Sequence, residues 1–397
     1  MYKPNCFIQF FLFTILALQG NNLIAQSTDY NWKDLFYQSY YTGFKKLPPL
    51  RNYWLNLSNS KHIDDIEPLS YGMDAVLAMF ETTDSIKYLD DAITFTNNVM
   101  DWAQVSKDIP GNVSPYKDSF KSWIEKPLGS EKGLYNQEGV LWEAYFFQYV
   151  SRLLKDIHNN ESIFKIQNYK KFYIETLNFV EKDIWEKWES RGIKLHNKYA
   201  FLFLSRTHMA CHWAYIAAEL SFLTNSQENK SDYLAFVNLY NSKLEDNFYK
   251  YDKYISWHST WDFNLDNTIN KNTPIIQDVS HANLVVSYIV EAYDLGLWKD
   301  SDAIQRIINT LKDKIWDPSD CLFKDNLDGT MFVSSHTSPT GSFQSDGFAK
   351  LTRFDKSLFS IYEKFMNCSR YLIYPWLQYG QLFANLALSE RFILTTK

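Results

Sequence analysis

The chain has 397 residues, a formal net charge of −6, and a composition that is 46% hydrophobic and 17% aromatic, with only 13 glycines and 11 prolines. So mildly acidic a balance excludes sequence-independent nucleic-acid binding, which needs a basic surface. The scarcity of Gly and Pro argues against a β-sandwich or propeller with many tight turns, and the four cysteines show no CxxC spacing.

In chain order, the first feature is a leader. Lys3 is the only charged residue before Asp29, and it precedes an apolar run over 7–18 and a small-residue exit at Ala25. That order describes a secretory signal peptide over 1–25 and predicts a periplasmic or secreted mature chain, 26–397. The run is short for a membrane span, which needs about 20 apolar residues. No later segment matches its continuous hydrophobicity, so no span is expected after cleavage. Losing Lys3 takes the charge from −6 to −7. Three cysteines then remain, Cys211, Cys321 and Cys368, too few for a disulfide framework although one bridge is open to them.

Beyond the leader, helix follows helix. Apolar spacing predicts pairs over 71–82 and 86–103, 138–157 and 169–188, 207–223 and 231–248, 280–295 and 301–316, and 358–366 and 376–392. Asp84-Ser85 and Ser231-Asp232 read as N-caps. The pairs recur irregularly, without the short fixed period of solenoid repeats. The expectation is therefore all-α: one domain, a toroid or incomplete barrel of helical hairpins, and a monomer. Long loops over 106–136, 249–279 and 321–354 would build its cleft, since loops of that length in a compact domain are usually functional.

Three clusters bear chemistry. At about 100° per residue, His208, His212, Tyr215 and Glu219 share one stripe of an otherwise apolar helix, just after Arg206. Such a stripe needs a polar cavity. Zinc is one reading of i, i+4 histidines, but the Glu of HExxH and a third ligand are missing; satisfied structural histidines are another. No metal or organic cofactor is expected. The second cluster is 277–283, where Asp278 or Ser280 would cap a helix and put His281 in its first turn, followed by Asn283 and Tyr288. In the third, Tyr254, Trp257, His258 and Trp261 with Asp262 form either a sugar subsite of stacking rings or core packing. Gln137 and Glu138 at a helix start, and Arg353, are further candidates; Arg206 and Arg353 suit bidentate binding of a carboxylate. His62, His158, His196 and His336 have no comparable setting.

The segments RTHMACHWAYIA, WHSTWD and QDVSHANLVVSYIVEAYDLG together resemble α/α-toroid polysaccharide lyases of the alginate and glucuronan type, in particular polysaccharide lyase family 38. The resemblance implies metal-free β-elimination across C4–C5 of a uronic acid in an anionic poly- or oligosaccharide. A hydrogen-bonding or positive group neutralises the C6 carboxylate, a Tyr or His takes the C5 proton, and another protonates the group leaving C4. Mapped by segment, His281 or Tyr288 would be the base. His212 and Arg206 would neutralise, and His258 or Tyr254 would be the acid. His208, Tyr215, Trp257, Trp261, Asn283, Glu138 and Arg353 would hold substrate. A glycosidic leaving group makes a lyase; water leaving from a non-reducing-end uronate makes a dehydratase.

Two other classes compete. A toroid glycoside hydrolase needs two carboxylates, from among Glu138, Glu143, Asp262 and Asp278; Asp90-Asp91 reads as a solvated helix face. A non-catalytic glycan binder is the other. Cys6 precedes the apolar run, so it is not placed for a lipid anchor.

Overall fold

The computed structural model describes residues 30–44, 47–124, 136–261, 275–332, 340–367 and 376–395. Its helices are α1 (Trp32–Tyr37), α2 (Leu50–Ser58), α3 (Ile66–Thr83), α4 (Ile86–Asp101), α5 (Val140–Asn159), α6 (Glu161–Phe164), α7 (Gln167–Phe179), α8 (Lys187–Ile193), α9 (Thr207–Leu223), α10 (Gln227–Asp246), α11 (Val279–Asp294), α12 (Ser301–Thr310), α13 (Gly347–Lys350), α14 (Leu358–Asn367) and α15 (Trp376–Thr395). The protein is all-α in class. The described strands are two or three residues long and form antiparallel pairs: β1 (Gln104–Val105) with β2 (Lys121–Ser122), β3 (Phe248–Lys250) with β4 (Ile255–Trp257), and β5 (Trp316–Asp317) with β6 (Leu322–Phe323). Each pair lies in or at the edge of a stretch expected to be loop.

Sequence pattern decides each helix's layer. Between Thr207 and Leu220, α9 has no charged side chain outside His208, His212 and Glu219, and it is buried almost all round. Such a helix belongs inside. By contrast, α12 buries only Ala303, Ile304, Ile307, Ile308 and Thr310, a single face, and belongs outside. The inner helices pack as a cyclic series: α15 on α3, α3 on α5, α5 on α9, α9 on α11, α11 on α13 and α13 back on α15. On its outer side, α4 and α2 cover α3, α7 covers α5, α10 covers α9, and α1 covers α15.

Several boundaries differ from the sequence reading. The helix expected at Ser231 begins at Gln227, where the Ser226 hydroxyl accepts the Asn229 N–H. Asp232 instead pairs with Lys198 and accepts from the Tyr199 hydroxyl at 3.0 Å. The helix over 169–188 continues through a wider π-helical stretch, Val180–Glu186, into α8. Asp91 is not on a solvated face: it is buried, receives Arg51 through both carboxylate oxygens, and accepts the Tyr40 hydroxyl at 2.8 Å. This ion pair fastens α2, itself unread in the sequence, to α4.

Charge also lies at the centre of the cyclic series. Asp74 of α3, fully buried, is paired with Arg152 at 2.5 Å and Lys350 at 3.0 Å, and accepts amide N–H bonds from Gln381 and Asn385. Asp346 takes the Tyr149 and Ser287 hydroxyls at 2.6 and 2.7 Å and pairs with Lys350. Buried charges persist only when paired and hydrogen-bonded in this way. Cys211 is a buried free thiol, whereas Cys321 is disulfide-bonded to a partner outside the described residues. No described helix is long and apolar enough to cross a membrane.

Candidate active site

The N-terminal halves of α3, α5, α9 and α11 converge on three histidines. His281 is placed by its helix start: the Asp278 side chain accepts the His281 backbone N–H at 3.1 Å and so caps α11. The same carboxylate accepts the His281 Nδ1–H, with both oxygens at 2.8 Å. Ser280 and Gln277 donate to it as well, at 2.5 and 2.9 Å. With Nδ1 committed, His281 keeps Nε2 for proton exchange. These donors hold the Asp278 carboxyl far below the usual carboxylate range, the bond and charge of His281 contributing most after burial has opposed them.

The His281 ring lies against His208, ring centres 4.1 Å apart. One turn further along α9, His212 packs on Tyr145 of α5 at 4.0 Å, and its Nδ1 meets the Gln148 side-chain oxygen at 2.9 Å. With that carbonyl turned to it, Nδ1 carries the proton and Nε2 presents a lone pair. Burial, aided by the His281 charge, lowers the His212 pKa to about 3, and burial pushes His208 down likewise. Both rings are therefore neutral at physiological pH. His208 Nδ1 and His212 Nε2 are buried with no hydrogen-bond partner among the described residues. Buried polar atoms are rarely left so, which leaves these two ring nitrogens able to meet a further polar group.

Glu67 and Tyr71, one turn apart at the start of α3, complete the cluster, the Tyr71 hydroxyl donating to Glu67 at 3.3 Å. Burial raises the Glu67 carboxyl above its ordinary value, against the lowering influence of Tyr71 and His281. Burial and the nearby Glu67 charge push the Tyr145 hydroxyl well up, which keeps it a neutral donor. The starts of α9 and α11, which carry His208 and His281, add partial positive charge there.

Of the residues singled out in the sequence, His208, His212 and His281 are brought together, with Asp278 behind them. Arg206 stands at the N-cap of α9, exposed, its backbone bridged to Thr260, and makes no ion pair among the described residues. The others fall elsewhere. Tyr288 is buried against Tyr240 and donates to Asn241 at 2.5 Å, because its face of α11 meets α10. Tyr215 donates to Glu291, and Glu219 pairs with Lys155, deeper along the same stripe. Asn283 accepts the Phe348 N–H and so seats α13. His258 stacks on Tyr249, and Tyr254 lies beneath the Lys314 ammonium in the β3–β4 turn.

Both tryptophans of the third cluster are packing residues. Trp257 is fully buried against Phe248, and Trp261 stacks on Phe203 and donates to the Leu204 carbonyl. Glu138 is tied to Arg191 at 2.7 Å, and Glu143 to Lys187 at 2.8 Å, which leaves neither as a reacting carboxylate. Arg353 pairs with Asp294 near the C-terminal end of α11, the opposite end from His281. Asp262, His336, Cys368 and the leader 1–25 lie outside the described residues.

No family model matches this chain, and no curated protein and no solved structure matches it. The sequence reading missed Glu67, Tyr71, Tyr145 and Gln148. The available signal was spacing: Glu67 and Tyr71 are i, i+4 at a helix start, and Tyr145 and Gln148 are i, i+3.

Proposed function

We propose that the chain is a carbohydrate-active carbon–oxygen lyase, an exported enzyme that eliminates across C4–C5 of a uronic acid, built as an α/α toroid with its active site at the N-terminal ends of the inner helices. The observation that carries this reading is the Asp278–His281 pair set against two neutral histidines and two tyrosines. A uronate carboxylate would be received by the starts of α9 and α11 and by Arg206. His281 Nε2 would take the C5 proton; the electron pair passes through the enolate of the C6 carboxyl and expels the C4 oxygen. Tyr71 or Tyr145, neutral hydroxyls, would protonate that oxygen as the C4=C5 double bond forms. The cyclic helix packing supports the toroid, and the segmental likeness to polysaccharide lyase family 38 points the same way. Leader, localisation and monomeric state belong to the same proposal.

One observation favours a second reading. Glu67 is pushed up and Asp278 down, and two carboxyls driven apart in this way are the pattern of a general acid and a base in glycoside hydrolysis. Incubating the purified protein with polyuronates and their oligosaccharides separates the cases. Elimination gives an unsaturated uronate absorbing near the ultraviolet edge. Chain shortening identifies a lyase, and loss of one water without shortening a dehydratase. New reducing ends without that absorbance sink elimination in favour of hydrolysis, and no product of either kind removes both.

A further inference from the structure

A second place in the molecule is shaped for sugar. Beside the start of α3 lies a cavity of about 700 Å³, within the roughly 300–1,000 Å³ typical of ligand sites. It is lined by Asn59 and Lys61 after α2, by Asn98, Asp101 and Trp102 at the end of α4, and by Gln104 of β1. Lys61 on its rim is joined to Glu67 of the histidine cluster through the single turn Ile63–Asp65.

The lining groups are unspent. Lys61, Asp101, Gln104 and the Trp102 indole N–H make no side-chain hydrogen bond or ion pair among the described residues. Asn98 uses only its amide nitrogen, on the Ser58 hydroxyl at 2.9 Å, and Asn59 only its own, on the Leu55 carbonyl. The carbonyl oxygens of both asparagines remain to accept. Trp102 is half-buried, wedged edge-on against the buried Trp123 at 6.0 Å, which fixes its plane without covering it. A held indole, three primary amides, one cation and one carboxylate can satisfy the paired hydroxyls and apolar C–H face of a sugar ring. The one ammonium, Lys61, suits the carboxylate of one uronate ring.

We infer that this cavity is a saccharide subsite that binds a ring of an extended oligosaccharide away from the reacting bond. The inference rests on the proposed carbohydrate activity, but its test is a binding test. Titration calorimetry would be run with uronate oligosaccharides from disaccharide to octasaccharide, on the His281→Ala protein so that nothing is turned over. The expected result is affinity that rises with chain length, and a rise that disappears in Trp102→Ala, about tenfold weaker on the longest chain, the scale of one lost aromatic contact. Lys61→Ala and Gln104→Ala, both on exposed side chains, guard against misfolding of the tryptophan variant and should weaken the longest chain in the same way. Length-independent affinity, or a length effect that all three variants keep, overturns the inference; so does a failure of every oligosaccharide to bind. The elimination reading is judged separately, by product absorbance from the unmutated protein, and it stands or falls whatever these titrations give.

Discussion

Asp278 does two jobs with one side chain, and a single substitution separates them. Asparagine caps a helix about as well as aspartate, so Asp278→Asn should keep the His281 N–H bond and change stability by less than about 1 kcal/mol. It removes the charge that orients and stabilises the His281 imidazole, and turnover should fall by about 100-fold or more. Asp278→Ala should lose both stability and turnover. An asparagine variant as active as the parent would rule out a proton-transfer role for the pair. His212 carries a different consequence. Its pKa is lowered to about 3 in the folded protein from 6.5, so between those values the unfolded chain holds the extra proton. Stability is then complete above pH 6.5 and is lost as pH falls toward 3, by at most ~1.4 kcal/mol per pH unit from this residue. Burial of His208 acts in the same direction. Thermal melting between pH 7 and 4 should show a shallower acid slope for His212→Gln than for the parent, and equal slopes would contradict neutral burial of the ring.

The short helix α13 holds α11 and α15 together, and Gly347 is what lets it approach. A Cβ there would stand 2.2 Å from the Ser287 nitrogen and 2.3 Å from the Asn283 oxygen, both backbone atoms of α11 that cannot swing away. Gly347→Ala should therefore destabilise by about 1–3 kcal/mol, the usual cost of overpacking, read from urea midpoints; no loss would mean that the contact relaxes freely. None of this was legible in the sequence, where 347–354 has no long apolar period. What was legible followed from periodicity. The helix 207–223 was placed to the residue because nothing competes with its apolar run, and the polar stripe along it does face a polar interior. The Ser231 start failed because Ser226 caps equally well and lies nearer the previous turn. The small strands were invisible, since two- and three-residue ladders leave no alternation to read. In the site, the histidines stood out because the chain has only 8 of them. Tyr71 and Tyr145 did not, because among 27 tyrosines the ones that meet the histidine cluster are chosen by tertiary packing. Trp257 and Trp261, open in the sequence between a sugar subsite and core packing, are both buried in the core.

At the scale of the whole molecule, four inner helices, α3, α5, α13 and α15, share one buried charge system around Asp74. Its two cations come from α5 and α13, and its amides from α15. Asp74→Ala would leave Arg152 and Lys350 facing each other without their common anion. The expected cost is about 3–5 kcal/mol, that of breaking a buried pair, in equilibrium unfolding. A loss below about 1 kcal/mol would show that water or Glu81 and Asp346 compensate.

The packing of α15 on α3 has a consequence in time. The two helices are separated by most of the chain, as are Tyr30 and Asn367, whose side chains share a 2.5 Å hydrogen bond. Contacts so distant along the chain slow folding, because the intervening segment must be gathered before they reward it. The side of α3 that meets α15 has no lasting cover until Trp376–Thr395 has emerged and docked. Until then the polypeptide remains pliable, and what it meets in that interval meets an unfinished molecule.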